Sequence, residues 1–197
     1  MSTPTRQLRS DAAANRERVL TAAAAAVKRE GEKVPIATIA EEAGVGVGTL
    51  YRHYPTRAAL LAALTHRSFR LVVDHARAAA NSEEPAINSI GVFFEQTIRH
   101  RDELILPLHG GPVLLDQETV ALQAEIRAKL TEVLRRGQRE RNIRDDVTAI
   151  DIIITGAQLA QPLPHAPNWD RIARQQARIY LAGLAPTSAP PPAAPSL

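Results

Sequence analysis

The chain has 197 residues, enough for one domain or a small module joined to a larger one, and it contains no cysteine. That excludes disulfides, thiolate metal sites and cysteine nucleophiles, while 45% hydrophobic but only 4% aromatic residues favour an all-α core of Ala, Leu, Ile and Val over a β-sandwich. The net charge of +3 hides an asymmetry: residues 1–70 hold 11 Lys+Arg against 6 Asp+Glu and the rest 13 against 15, so a polyanion would be held by the N-terminal third.

Prolines and glycines cut the chain into helix-sized pieces. The polar residues 1–10 are expected to form a flexible arm. A helix is predicted over 11–30, capped by Ser10 or Asp11, with Val19, Leu20, Ala23, Ala26 and Val27 on one face and Gly31 at its end. Pro35 opens a short helix over 36–43, Gly44-Val45-Gly46 makes a tight turn, and a second short helix follows over 47–53. Thr56 caps a longer helix through residue 80. Further helices are predicted over 86–101, over 114–141 with a loosening near Gly137, over 146–161 and over 168–184. The Pro-rich tail, 185–197, reads as disordered. The sum is an all-α fold of about nine helices. No stretch approaches the roughly 18 apolar residues of a membrane span, and the opening segment lacks the apolar run of a secretory signal, so a cytoplasmic location without membrane contact is expected.

The segment VPIATIAEEAGVGVGTLYRHYPTRAAL, residues 34–60, has the dimensions of a helix-turn-helix, whose second helix enters the major groove of DNA. Ile39, Ala40, Ala43, Val45 and Leu50 would fix the helix crossing, and Gly44 supplies the positive φ of the turn. Thr49 and Tyr51 face away from Leu50, towards base edges or phosphates. His53, Tyr54 and Arg57 cluster where the chain leaves the groove, placed to donate to phosphate oxygens.

The runs NRERVLTAAAAAVKREG and IATIAEEAGVGVGTLYRHYPTRAALLAAL resemble the N-terminal domain of the tetracycline-repressor (TetR) family. The resemblance covers residues 11–65, and the later helices fit by number and length. It implies an all-α homodimer with a helix-turn-helix domain, here 11–55, and a larger domain for effector binding and dimerisation, here 56–184. It also implies a palindromic double-stranded DNA operator, a small-molecule effector that releases the repressor, and neither cofactor nor catalysis. By the same resemblance Val47, Gly48, Thr49 and Tyr51 read bases, His53 and Arg57 contact phosphates, and Thr38 touches the backbone. Gly46 stands where the family often has a hydroxyl residue, and Arg57 where lysine is commoner. Val47, Gly48 and Thr49 offer bases few hydrogen bonds, so specificity would lean on methyl contacts, Tyr51 and DNA shape. Arg6 and Arg9 either reach an adjacent minor groove or belong to a solvated tail.

Other readings of these residues are poorer. Gly44, Gly46 and Gly48 fit no nucleotide-binding frame, His100-Arg101-Asp102 lacks every other kinase element, and the six histidines make no metal-binding spacing. A helical enzyme or interaction module on this fold, or a regulator without a ligand, remains an alternative. Candidate pocket residues are Phe69, Val72, His75, Phe93, Phe94, Thr97, Leu122, Ile126, Arg127, Leu130 and Trp169, each apolar one also suited to plain core packing. The last two helices are apolar on more than one face, which suggests a four-helix dimer interface through Ile152, Ile153, Ala157, Ala160, Ile172, Gln176, Ile179 and Tyr180.

Overall fold

The computed structural model describes residues 4–106, 116–163 and 166–186, with side chains from Ala14 onward. Eight α-helices and a 3-10 turn account for the regular structure of these residues: α1 Pro4–Glu30, α2 Ile36–Glu42, α3 Val47–His53, α4 Arg57–Ala80, α5 Ala86–Arg99, the 3-10 turn Arg101–Glu103, α6 Gln117–Arg139, α7 Ala149–Leu159 and α8 Trp169–Gly183. The all-α expectation holds. Helix α1 begins at Pro4, not near Asp11: proline is well suited to a first helical turn, and no breaker stands between it and Gly31. The tail beyond residue 186 and the side chains of Arg6 and Arg9 lie outside what is described.

Contacts divide the chain into two compact units, and not at the boundary between 55 and 56 that the sequence suggests. One takes the chain to Leu71 together with His100–Leu122; the other takes Val72–Arg99 and the residues from Gln123 on. Helix α4 therefore contributes its first half to one unit and its second half to the other.

The N-terminal unit has its own core. Val19, Ala23 and Ala26 of α1 and Ile39 and Ala40 of α2 are buried with Leu50 of α3 and Leu60 and Leu64 of α4. Fully burying one such Leu contributes about 1.5–3 kcal/mol. Ile105, beyond the 3-10 turn, joins the same cluster. Ser68 holds it there: its hydroxyl accepts from the Ile105 N–H at 2.8 Å and donates to the Leu64 carbonyl at 2.9 Å. The Lys28 ammonium donates to the Arg101 carbonyl. Burial lowers the Lys28 pKa, a trend that Asp102 opposes.

In the second unit α5 packs on α7 and α8, which also touch each other. Phe93 and Phe94 are fully buried, and Phe94 meets the Tyr180 ring edge-on at 5.7 Å. Gly156 brings α7 close to α5, since a Cβ there would sit 3.1 Å from Phe93 Cε1. Helix α6 does not loosen at Gly137. That glycine is a packing position, where a Cβ would lie 2.6 Å from Ile143 Cδ1 and 2.8 Å from Ala86 Cβ. The start of α7 is fixed by Asp151, whose Oδ2 accepts from both the N–H and the hydroxyl of Thr148 at 2.8 and 2.6 Å. These donors hold the Asp151 carboxyl below its ordinary range.

Candidate nucleic-acid interface

The turn between α2 and α3 follows from Gly44. Its φ of +64° carries the chain out of α2, its N–H bonds the Glu41 carbonyl, and the next N–H, on Val45, bonds the Ala40 carbonyl. Both pairings belong to the Schellman stop, which needs a left-handed residue at this position. Helix α3 then starts at Gly46, without a side-chain cap. Its fourth residue, Leu50, is fully buried, and that contact seats the helix on Ala40 and Ala43.

With Leu50 inward, Val47 and Tyr51 point out, 40% and 46% exposed, and Gly48 and Arg52 are exposed beside them. Thr49, His53 and Thr38 of α2 are half-buried. The protruding surface is thus short, lightly polar and edged by a guanidinium. It suits a surface that offers methyl groups and phosphates. Arg52 was not among the sequence candidates; its place next to Tyr51 on a seven-residue helix was the available signal.

Two of the expected phosphate contacts are used inside the fold. Tyr54 is only 3% exposed: α3 ends at His53, and the next side chain turns into the core rather than outward. The Arg16 guanidinium lies over its ring, 5.9 Å from the centroid, and burial pushes the Tyr54 phenol up while Arg16 pulls it down. Arg57 Nη1 donates to the carbonyls of Glu32 and Val34 at 2.7 and 2.6 Å. The bend between α1 and α2 leaves those carbonyls without helical partners, and Arg57 satisfies them from the start of α4. The Thr56 hydroxyl, as expected, caps that helix by accepting from the Ala59 N–H at 3.0 Å.

The pocket candidates do not converge on one described cavity. Phe69, Val72, His75, Phe93, Phe94, Thr97, Ile126 and Leu130 are buried, Leu122 and Trp169 are half-buried, and Arg127 is exposed, so Arg127 is not an inward polar group. Trp169 lines a groove of about 370 Å3 between α7 and α8, together with Gln158, Gln176, Ile179 and Tyr180. Its indole donates to the Leu159 carbonyl at 2.8 Å.

The expected dimer residues split in two. Ile152, Ala157 and Ala160 are buried in their own protomer, because the inward face of α7 is the one that meets α5. Ile153, Ile172 and Tyr180 are half-buried, Gln176 is exposed, and Ile179 is 56% exposed. On α7 the large apolar side chains that face outward are Ile150 and Ile154.

Among the described residues no group of His, Asp and Glu is placed to hold a metal ion, and no helix is long and apolar enough to cross a membrane. Residues 19–64 match the family described as bacterial regulatory proteins, tetR family. No curated protein matches the sequence. Among solved structures, the chain is similar to a TetR transcription regulatory protein from Mycobacterium vanbaalenii, at 33% identity over 90% of this chain and 99% of that one, with a TM-score of 0.63. It shares its fold with CprB of S. coelicolor A3(2), at 19% identity, 90% and 91% coverage and a TM-score of 0.72. It also shares it with AibR, solved with isovaleryl coenzyme A and operator DNA, at 16% identity, 86% and 97% coverage and a TM-score of 0.66.

Proposed function

The chain belongs to the tetR family of bacterial regulatory proteins, and on that premise we propose that it is a cytoplasmic, dimeric repressor released from its operator by a small molecule. The observation that carries the reading is α3: a helix seated by one buried leucine, with Val47, Gly48, Tyr51 and Arg52 presented outward. Val47 and Tyr51 meet base edges and methyl groups, and Arg52 and His53 meet phosphates. Thr38 approaches the backbone from α2. Arg57 acts through the loop it braces.

The second protomer docks on Ile150 and Ile154 of α7 and Ile172, Gln176 and Ile179 of α8. Two recognition helices held by such an interface read two half-sites, which a lone protomer with few phosphate contacts could not hold at physiological salt. AibR, a protein of the same fold, takes an acyl-coenzyme A and operator DNA, the two classes of partner assigned here. The protein works by binding equilibria and has no catalytic role.

The test is retardation of duplex DNA by the full chain across a salt series. Affinity should fall steeply as salt rises, and Tyr51→Ala should lower it about 10–100-fold, or about 1.4–2.8 kcal/mol, with helix content unchanged. Equal affinity for the variant would refute the assignment of α3.

A further inference from the structure

An open cleft of about 780 Å3 lies within the N-terminal unit, and His53 and Tyr54 at the end of α3 are among its lining residues. Helix α1 lines it with Arg16, Glu17 and Leu20, α4 with Ala59, Ala62 and Ala63 and then His66, Arg67 and Arg70, and Asp116 and Glu118 close one end. The volume falls in the range of small-molecule sites, roughly 300–1,000 Å3. The three alanines leave an apolar floor, with Leu20 and the Tyr54 ring beside it.

The formal charges around this floor balance, three arginines against three carboxylates, but they are not paired one to one. Each carboxylate is engaged: Glu17 with Arg67 at 2.8 Å, Glu118 with His66 at 3.5 Å, and Asp116 as acceptor from the Thr119 N–H at 2.7 Å. Arg16 and Arg70, both exposed, have no carboxylate partner among the described residues. Arg67 is the third cation. It meets Glu17 and also Glu103 at 2.9 Å through Nη2, while its Nη1 is buried without a hydrogen-bond partner. A buried guanidinium donor left unmet is costly, and an incoming oxygen would satisfy it.

We propose that this cleft is a binding site for a small amphipathic anion, its carboxylate or phosphate held by Arg16, Arg67 and Arg70 and its apolar part on Ala59, Ala62, Ala63 and Leu20. A molecule so held ties α1 to α4 inside the unit that carries α3. Its binding and that of DNA are then coupled reciprocally.

The site is tested without DNA, by calorimetric titration of the full chain with hexanoate, hexyl phosphate and hexylammonium, so the outcome does not depend on the regulatory reading. Hexanoate or hexyl phosphate should bind with Kd below about 1 mM, and the tighter of the two identifies the headgroup. Hexylammonium should not bind. Arg16→Ala with Arg70→Ala should weaken anion binding at least tenfold while helix content stays unchanged, and Arg127→Ala, exposed on α6, should have no effect. No anion binding, equal binding of hexylammonium, or full binding by the Arg16/Arg70 variant would overturn the proposal. So would a double variant that loses DNA affinity where no anion ever binds, since the arginines would then be phosphate contacts for the duplex.

Discussion

Both units leave large apolar side chains in water, but in different company. In the N-terminal unit Val47 and Tyr51 stand out from a seven-residue helix, at 40% and 46% exposure, beside Gly48, Arg52 and His53. In the other unit Ile150, Ile154 and Ile179 reach 41%, 41% and 56% on helices that touch each other. Two apolar tips among cations suit a charged, grooved partner. Isoleucines on paired helices suit another apolar face, and a second copy of the chain supplies one. Exposure alone does not name the partner; the neighbouring residues do.

The largest effect should come from charging the isoleucine face. Ile154→Asp with Ile179→Asp should raise the dimer dissociation constant more than about 100-fold, read by light scattering, with helix content retained. Retarded DNA should be lost with it. If the doubly charged variant remains dimeric, the α7–α8 face is not the interface.

Next comes the use of glycine. Gly137→Ala in the second unit should lower stability by about 1–3 kcal/mol, because Ile143 and Ala86 leave its Cβ no room. Gly48→Ala in α3 meets nothing within 4 Å and should stabilise the helix by about 0.8–1 kcal/mol. Thermal unfolding of the two variants measures the contrast, and similar shifts would erase it.

Arg57 sharpens the comparison within the N-terminal unit. Arg57→Ala should lower stability by about 1–3 kcal/mol, since two loop carbonyls lose their donor, and should leave the salt slope of DNA binding unchanged. A slope reduced by about one would make it a phosphate contact after all.

The smallest effect concerns acid. Thr148 donors and the Arg77 guanidinium hold the Asp151 and Glu125 carboxyls below their ordinary ranges. Their folded pKa values lie below the unfolded ones, so this stabilisation is fully present above about pH 4.5 and is lost as pH falls through the folded values. The melting temperature should drop in that acid window and less so in Asp151→Asn, which has no such carboxyl to protonate.

Most helices could be read from Gly and Pro alone. The span of α3 is legible to the residue, because Gly46 and Pro55 bracket it and Leu50 sets its phase. What could not be read was direction. The run IDIIIT on α7 is apolar on more than one face, and only the packing of α5 decides that Ile152 goes in and Ile154 out. Likewise no local pattern tells that Tyr54 folds inward or that Arg57 serves two carbonyls more than twenty residues away. The segment 100–106 belongs to the N-terminal unit through Ser68 and Ile105, a pairing of distant residues that periodicity does not encode.

Selection of bound sequences from a random duplex pool, followed by a count of protomers on the enriched duplex, tests the central claim most directly. The enriched sequence should be an inverted repeat with half-sites about one helical turn apart, occupied by two protomers. An unenriched pool, or one protomer on a single half-site, would contradict it.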